Sequence, residues 1–423
     1  MYQIKVKWVL SSLALALVLM LNQSCSLLGD KKNKTVDDVF AQGSIDPNLV
    51  PNNVSYVPLY PFISNVRNPL DVFVGYDELI YVVVDNDENN INDNEVLMYD
   101  QKMTLVYRIN ITGATDITQD RRLHTYIAGR YYTDASKTVN LAGVYHVNLL
   151  AQGTPNFIDT IKHYTCDESR SNTSFRGADD IAVEFTGLAT LWDNTLYVAR
   201  TGPRNDQTGI ARPDNGVLVF NADGLNIGFT THLNPNQSSL KSCVGISGLA
   251  SLAGPPQRLS GISTSKNFFI TLADQNVNLE YRALSIVATE DPDQGTIYGE
   301  NSAFLNFDVT KADRFMYESF RFKKPEDIYV APDASGYIFV TDSEKDSVFI
   351  FTNVGYEGVN PPANSSVKKQ IIVSFGGSGA DGNGSGPFNL INPTGICYFN
   401  RNVLVCDKGN NRICRYRLNT DLQ

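Results

Sequence analysis

The sequence predicts an all-β protein: a six-bladed β-propeller over residues 54–423, its ring closed by an N-terminal strand. Three observations carry that expectation. The chain holds 21 Tyr and 21 Phe, and beyond residue 25 it is poor in runs of Ala, Leu, Glu and Lys, a bias toward strands. Short strand-like segments bounded by turn residues recur in sets of three or four. Two such sets near the C-terminus align with each other, which exposes a repeat that uneven loops hide elsewhere.

The first aligned set runs through 324–330, 338–342 and 347–351, and the second through 392–398, 403–407 and 412–416. In each, a tight turn joins the first two segments, at Asp333–Gly336 or Asn400–Asn402. A loop opening on Asp342 or Asp407 joins the second to the third. The same grammar places further units at 69–100, 115–148, 187–220 and 261–287. The inner segments are expected to start near 69, 115, 187, 261, 325 and 393, with 369–375 as the fifth unit's outer strand. A blade cannot bury both of its faces alone, so the units must stack in a ring. The sixth unit has no outer strand of its own. The segment 54–63 has no other home and is expected to complete that blade, where Pro58 and Pro61 are tolerated at an edge.

The last unit resembles an NHL repeat. Asp407-Lys408-Gly409-Asn410-Asn411-Arg412-Ile413, preceded by Gly376-Gly377-Ser378-Gly379 and Asn392-Pro393-Thr394-Gly395-Ile396, follows that family's pattern almost throughout. The fifth unit keeps Asp342 but has Asp346-Ser347 where the family prefers Asn-Arg, and the first four keep only the strand pattern. Asp407 and Arg412 read as turn residues, the first capping backbone amides and the second spanning the turn.

Residues 1–24 read as a leader. Lys5 and Lys7 form a positive start, and an apolar run from Trp8 to Leu21 is too short for a comfortable membrane span. Ser24-Cys25 at its end resembles a bacterial lipoprotein lipobox, although Leu21 lies one place further from the Cys than the usual pattern has it. The resemblance implies cleavage before Cys25, lipidation of that residue and a flexible tether over 25–53. Ser26, not Asp, follows the Cys, which by the rule for diderm bacteria implies a bacterial cell envelope protein held at the outer membrane. Several acyl chains would anchor it stably. Lys31, Lys32 and Lys34 are expected to be a solvated part of the tether.

The formal charge is −10, and −12 once Lys5 and Lys7 leave with the leader. Such a chain is poorly matched to nucleic acid or anionic lipid. After Cys25 come Cys166, Cys243, Cys397, Cys406 and Cys414, an odd set without a zinc template, read as buried thiols with Cys166–Cys243 the one long-range pair worth testing.

In a propeller, loops between second and third strands share one face with the inter-blade connections. Here those stretches are long, at 86–95, 130–142, 201–215 and 376–392, whereas the opposite hairpins are short, the fourth unit's being read at Ser265–Asn267. The loop-rich face is therefore the expected binding face. Asp85, Asp87, Asn89, Asp93 and Glu95 supply hard oxygen ligands that suit Ca²⁺, the one cofactor the sequence suggests. Asn90 and Val96 break the EF-hand pattern, and a solvated polar loop is the simpler reading. The Gly-rich stretch 376–386 lacks a P-loop Lys and reads as an inter-blade turn. Some six-bladed relatives are enzymes that hold a metal at the inner strand ends. The matching positions here are Asp71, Asp116, Gly187, Gly261, Asp327 and Thr394, of which Asp71, Asp116 and Asp327 are the tunnel-mouth candidates. His124, His146, His163 and His232 are scattered along the sequence, and no catalytic motif is present. Two functions remain: a membrane-anchored binding or scaffold module for protein, peptide or glycan, and a lactonase-like, metal-dependent hydrolase or lyase at the tunnel mouth.

Overall fold

The computed structural model describes residues 44–149, 155–163, 177–205, 213–230, 243–255, 263–276, 278–363, 365–379 and 384–422. The leader, Cys25, the basic cluster, Cys166, His232 and Gly261 all lie outside the described residues. The folded unit starts at Ser44, within the stretch assigned to the tether, where Ser44 and Tyr60 exchange backbone hydrogen bonds of 2.9 Å.

Six antiparallel sheets form the blades of a propeller. Two short strands, β1 (Tyr56–Pro58) and β2 (Ile63–Ser64), precede them. The first blade is β3 (Pro69–Val74), β4 (Ile80–Asp85), β5 (Asn94–Tyr99) and β6 (Leu105–Asn110). The second is β7 (Asp116–Gln119), β8 (Thr125–Tyr132), β9 (Asn140–Asn148) and β10 (Asn156–Lys162). The third is β11 (Glu184–Thr190), β12 (Leu196–Thr201), β13 (Gly216–Phe220) and β14 (Asn226–Thr230). The fourth is β15 (Ile246–Ser251), β16 (Phe268–Leu272), β17 (Ala283–Asp291) and β18 (Gly295–Glu300). The fifth is β19 (Pro325–Val330), β20 (Ile338–Asp342), β21 (Ser347–Phe351) and β22 (Phe375–Gly376). The sixth is β23 (Pro393–Phe399), β24 (Asn402–Asp407) and β25 (Arg412–Leu418), completed at its edge by β1 and β2. Tyr56 pairs with Leu418 and Ile63 with Ile413, so the ring closes as the sequence predicts. The inner strands β3, β7, β11, β15, β19 and β23 touch in cyclic order around the axis.

Middle strands are covered on both faces by neighbouring blades and read as continuous apolar runs. β4 (Ile-Tyr-Val-Val-Val-Asp) is buried except at its last residue. Outer strands are largely exposed, and β6 buries only Ile109. Apolar clusters fill the gaps between blades; one joins Tyr56 of the closing strand to Phe339, Tyr398 and Tyr416.

Three details correct the sequence reading. The fourth blade's inner strand is Ile246–Ser251, not 261–264, so its inner connection spans 252–267 rather than a hairpin at Ser265–Asn267. β8 and β9 run on through much of 130–142, pairing Tyr132 with Asn140. The fifth blade's outer strand is cut to Phe375–Gly376, and the chain from 352 to 374 folds back over the blade edge instead. Cys243, Cys397, Cys406 and Cys414 are free buried thiols.

Candidate functional site

Six short inner-strand motifs converge on the axis: Leu70-Asp71, Thr115-Asp116, Thr186-Gly187, Ser247-Gly248, Glu326-Asp327 and Thr394-Gly395. Their second positions are the tunnel-mouth residues, with Gly395 and Gly248 in the places the sequence reading gave to Thr394 and Gly261. Each inner strand except β7 carries a register shift just at or beside this position, which turns it toward the axis.

The three aspartates stitch the ring. The N–H of Ile117 donates to Asp71 Oδ2 (2.9 Å), that of Leu188 to Asp116 Oδ1 (3.0 Å), and that of Ile396 to Asp327 Oδ2 (2.9 Å). Every carboxylate thus caps the amide that follows the equivalent position in the next blade. Asp71 and Asp327 also accept the N–H of their own successors, Val72 and Ile328, at 2.7 Å. Burial pushes the Asp71 carboxyl up to about 7, against the bonds from Ile117 and Val72 that favour the charged form. Asp116 and Asp327 are raised well above the ordinary range, first by burial and then by the negative charges around them: Asp71 and Asp327 act on Asp116, and Asp71 on Asp327.

A second belt lies one residue earlier, of which the sequence reading named only Thr394. Thr115 donates its hydroxyl to the Phe185 carbonyl (3.1 Å), Thr186 to Ile246 (2.6 Å), Ser247 to Pro325 (2.7 Å) and Thr394 to Pro69 (2.8 Å). Leu70 and Glu326 stand at this position in the first and fifth blades. In the fifth, Thr341 of β20 supplies the missing hydroxyl to Thr394 (2.5 Å). The signal was a Thr or Ser before Asp or Gly in four of six inner strands, invisible until the fourth inner strand is placed correctly.

The loop-rich face opens above these belts as a funnel of about 390 Å³, with Glu184, Lys324, Glu326 and Lys408 toward its mouth. Below the carboxylates the channel narrows to about 40 Å³ between Phe73, Ile117, Leu188, Leu249 and Tyr329. So the three aspartates floor a funnel rather than line an open tunnel.

The other predicted residues fall elsewhere. In the loop of Asp85 to Glu95, oxygens turn back on the loop itself. Asp87 caps the N–H of Asn89 (3.1 Å), and the Asn86 amide donates to the Asp93 carbonyl and to Glu95 (2.9 Å each). Asp85 keeps one oxygen buried without a hydrogen bond. Among the described residues, no group of three or more His, Cys, Asp or Glu is placed to hold a metal ion. Two histidines scattered in the sequence meet: His146 Nδ1 lies 3.0 Å from Asp159 and its Nε2 lies 2.9 Å from His124 Nδ1. Burial lowers the His146 pKa, which favours the neutral ring in that chain. His163 pairs with Asp180 in full burial. Arg412 donates to Asp407 (2.7 Å) and to the carbonyls of Ser385, Gly386 and Asn389, the turn-spanning role expected of it.

Fold and site together define a six-bladed β-propeller whose closing blade carries an NHL repeat: the NHL repeat family model matches residues 390–416. No curated protein matches the chain significantly. Among solved structures, a protein of unknown function from Bacteroides thetaiotaomicron is similar at 13% identity, over 88% of this chain and 73% of that one, with a TM-score of 0.47. An auxiliary nutrient binding protein from the same organism is similar at 13% identity, over 89% and 75%, with a TM-score of 0.46. A gluconolactonase from Xanthomonas campestris is similar at 8% identity, over 89% and 94%, with a TM-score of 0.44. Likeness at this level carries no argument about ligand or reaction.

Proposed function

We propose that the mature protein is a lipid-anchored, extracytoplasmic binding module, held at the outer membrane through Cys25, that engages protein, peptide or glycan through its loop-rich face. The observation that carries this reading is the division of labour in the axial funnel. Its floor carboxylates and hydroxyls are committed to joining blades. Recognition then falls to the mouth. There Lys324 pairs with Glu326 at 2.7 Å and Lys408 with Glu88 at 3.6 Å, both partly exposed. Such pairs contribute about 0–1 kcal/mol, so a ligand can exchange them at little cost. Glu184 is exposed at the same mouth, where its charge acts on the Arg130 guanidinium. The leader, the lipobox-like Ser24-Cys25 and Ser26 support the anchoring.

Two measurements test the two halves separately. Cys25→Ser should move the protein from the membrane to the soluble fraction; retention at the membrane would remove the anchoring. Cross-linking of the full-length protein in its own membranes should recover partners that a Glu184→Gln/Lys324→Gln/Lys408→Gln variant loses. Equal recovery from both proteins would remove the loop-face reading.

A further inference from the structure

The face opposite the funnel holds a larger cavity, about 570 Å³, between the fifth and sixth blades. Its walls come from the hairpin at Asp333–Gly336, the hairpin at Asn400–Arg401, the start of β1, the end of β25 and the fold-back at Val359–Pro362. Its size falls within the roughly 300–1,000 Å³ of small-molecule sites. None of these residues serves the funnel.

The lining is aromatic and hydroxylic. Tyr56, Tyr337 and Tyr398 face it together with Asn360, Arg401 and Asp421. Two of the three hydroxyls are engaged: Tyr398 donates to Asp333, and Tyr337 accepts the N–H of Asn360 at 3.0 Å. Asp333 is also held by Ser335, so its carboxylate is occupied by the blade. Tyr56 differs. Its side chain is 3% exposed and packs on Phe339 and Phe375. Among the described residues its hydroxyl has no hydrogen-bond partner, and burial, with Tyr337, Asp421 and Asp333 nearby, holds it neutral. The hydroxyl keeps contact with the cavity's solvent, and a ligand that bonds to it replaces that water.

Arg401 and Asp421 complete the arrangement. Arg401 sits at the tip of a two-residue hairpin, with Asn400 and itself at φ 48° and 64°, the left-handed pair such a turn needs. Its guanidinium lies 3.8 Å from Asp421, beyond hydrogen-bond reach. The two therefore stand side by side as a loose ion pair that leaves guanidinium N–H groups and carboxylate oxygens to bond a ligand. Their charges offset each other, and the Asp333 carboxylate, held only by neutral donors, leaves the lining one negative charge, which disfavours an anion. What it offers is donors, acceptors and tyrosine walls in close alternation. A sugar presents the complement, with hydroxyls around its edge and C–H faces above and below.

We propose that this cavity is a binding site for a neutral mono- or disaccharide, hydrogen-bonded by Tyr56, Arg401 and Asp421 and walled by Tyr337 and Tyr398. Because Tyr56 lies on the closing strand and Asp421 follows the last strand, a bound sugar joins both ends of the chain to the fifth blade. Binding should then raise the thermal midpoint through mass action on the native state.

The test uses the full-length protein in a polyoxyethylene detergent, which brings no sugar headgroup. Maltose, cellobiose and lactose are titrated into the millimolar range, read by saturation-transfer NMR and by thermal midpoint. At least one should bind saturably and raise the midpoint. Tyr56→Phe removes one unpartnered oxygen and keeps every ring contact; it and Asp421→Asn should each weaken binding roughly tenfold. The Glu184→Gln/Lys324→Gln/Lys408→Gln variant at the funnel mouth should leave sugar binding unchanged, which separates this site from the loop-face reading. Absence of saturation with all three sugars would overturn the proposal. So would binding that both cavity variants retain, or saturable binding of glycine betaine that is lost on Tyr56→Phe, which would mark a cation cage.

Discussion

The junction of the sixth blade with the first and the junction of the first with the second solve the same problem with opposite residues. Where the first blade meets the second, Asp71 spans the gap and caps the Ile117 amide at 2.9 Å. Where the sixth meets the first, Gly395 removes the gap: a Cβ there would lie 2.4 Å from the Asp71 Cα. Around the ring, Asp71, Asp116 and Asp327 bridge, while Gly187, Gly248 and Gly395 let backbones close, with added Cβ atoms meeting neighbours at 2.9, 2.7 and 2.4 Å. The difference teaches that one inner-strand position can widen or narrow a wedge while keeping blades joined. A bridging carboxylate and a bare Cα are thus alternative fillings of one slot, and neither needs a ligand to explain it.

Exchanging the fillings should break the ring most severely. Gly395→Ala places a methyl against backbone that cannot yield, with an expected loss toward the upper end of roughly 1–3 kcal/mol for overpacking. The urea midpoint would show it, and a midpoint equal to that of the native protein would refute the wedge account. Gly187→Ala, which meets the Leu249 side chain at 2.9 Å, should cost less.

The bridging slot is sharpened by pH. A carboxyl whose pKa rises on folding holds its proton more tightly in the native state. Its contribution is complete below the unfolded value of 3.8 and is lost as pH climbs through about 7 for Asp71. Native stability should therefore fall across that window once the other carboxylates are accounted for. Asp71→Asn keeps acceptor oxygen for the bridge but removes the charge, so its urea midpoint should be flatter with pH and higher than native at the top of the window. Parallel slopes for the two proteins would sink this reading. The smallest effect belongs to the hydroxyl belt. Thr394→Val loses the 2.8 Å bond to the Pro69 carbonyl, and about 1 kcal/mol is expected from chemical unfolding.

Much of this was legible in the chain. The fifth and sixth blades declare themselves because their turns are short and chemically specific, as at Asp333–Gly336 and Asn400–Arg401. Arg412 and Asp407 could be assigned to the turn because their roles are local. The fourth blade was misplaced because its inner strand, Ile-Ser-Gly-Leu-Ala-Ser, is short and small-residued, and its connection to β16 is long. Outer strands such as β6 and β10 carry little alternation because nearly all of their residues are exposed. Asp71, Asp116 and Asp327 were found by position, but their partners, Ile117, Leu188 and Ile396, are ordinary apolar residues that carry no mark of it.

By itself the sequence determined the number of blades, the closing strand and four of the six residues that reach the axis, since each follows from local periodicity, turn chemistry and one unpaired edge. Tertiary structure alone decided which blade faces meet, and with them the funnel floor, the hydroxyl belt and the second cavity. Tyr56, Tyr337, Arg401 and Asp421 stand far apart along the chain and become one wall when the ring closes. Backbone hydrogen bonding writes a short-range signal that a strand carries wherever it goes, whereas a site between blades exists only in the contact of surfaces brought together by closure.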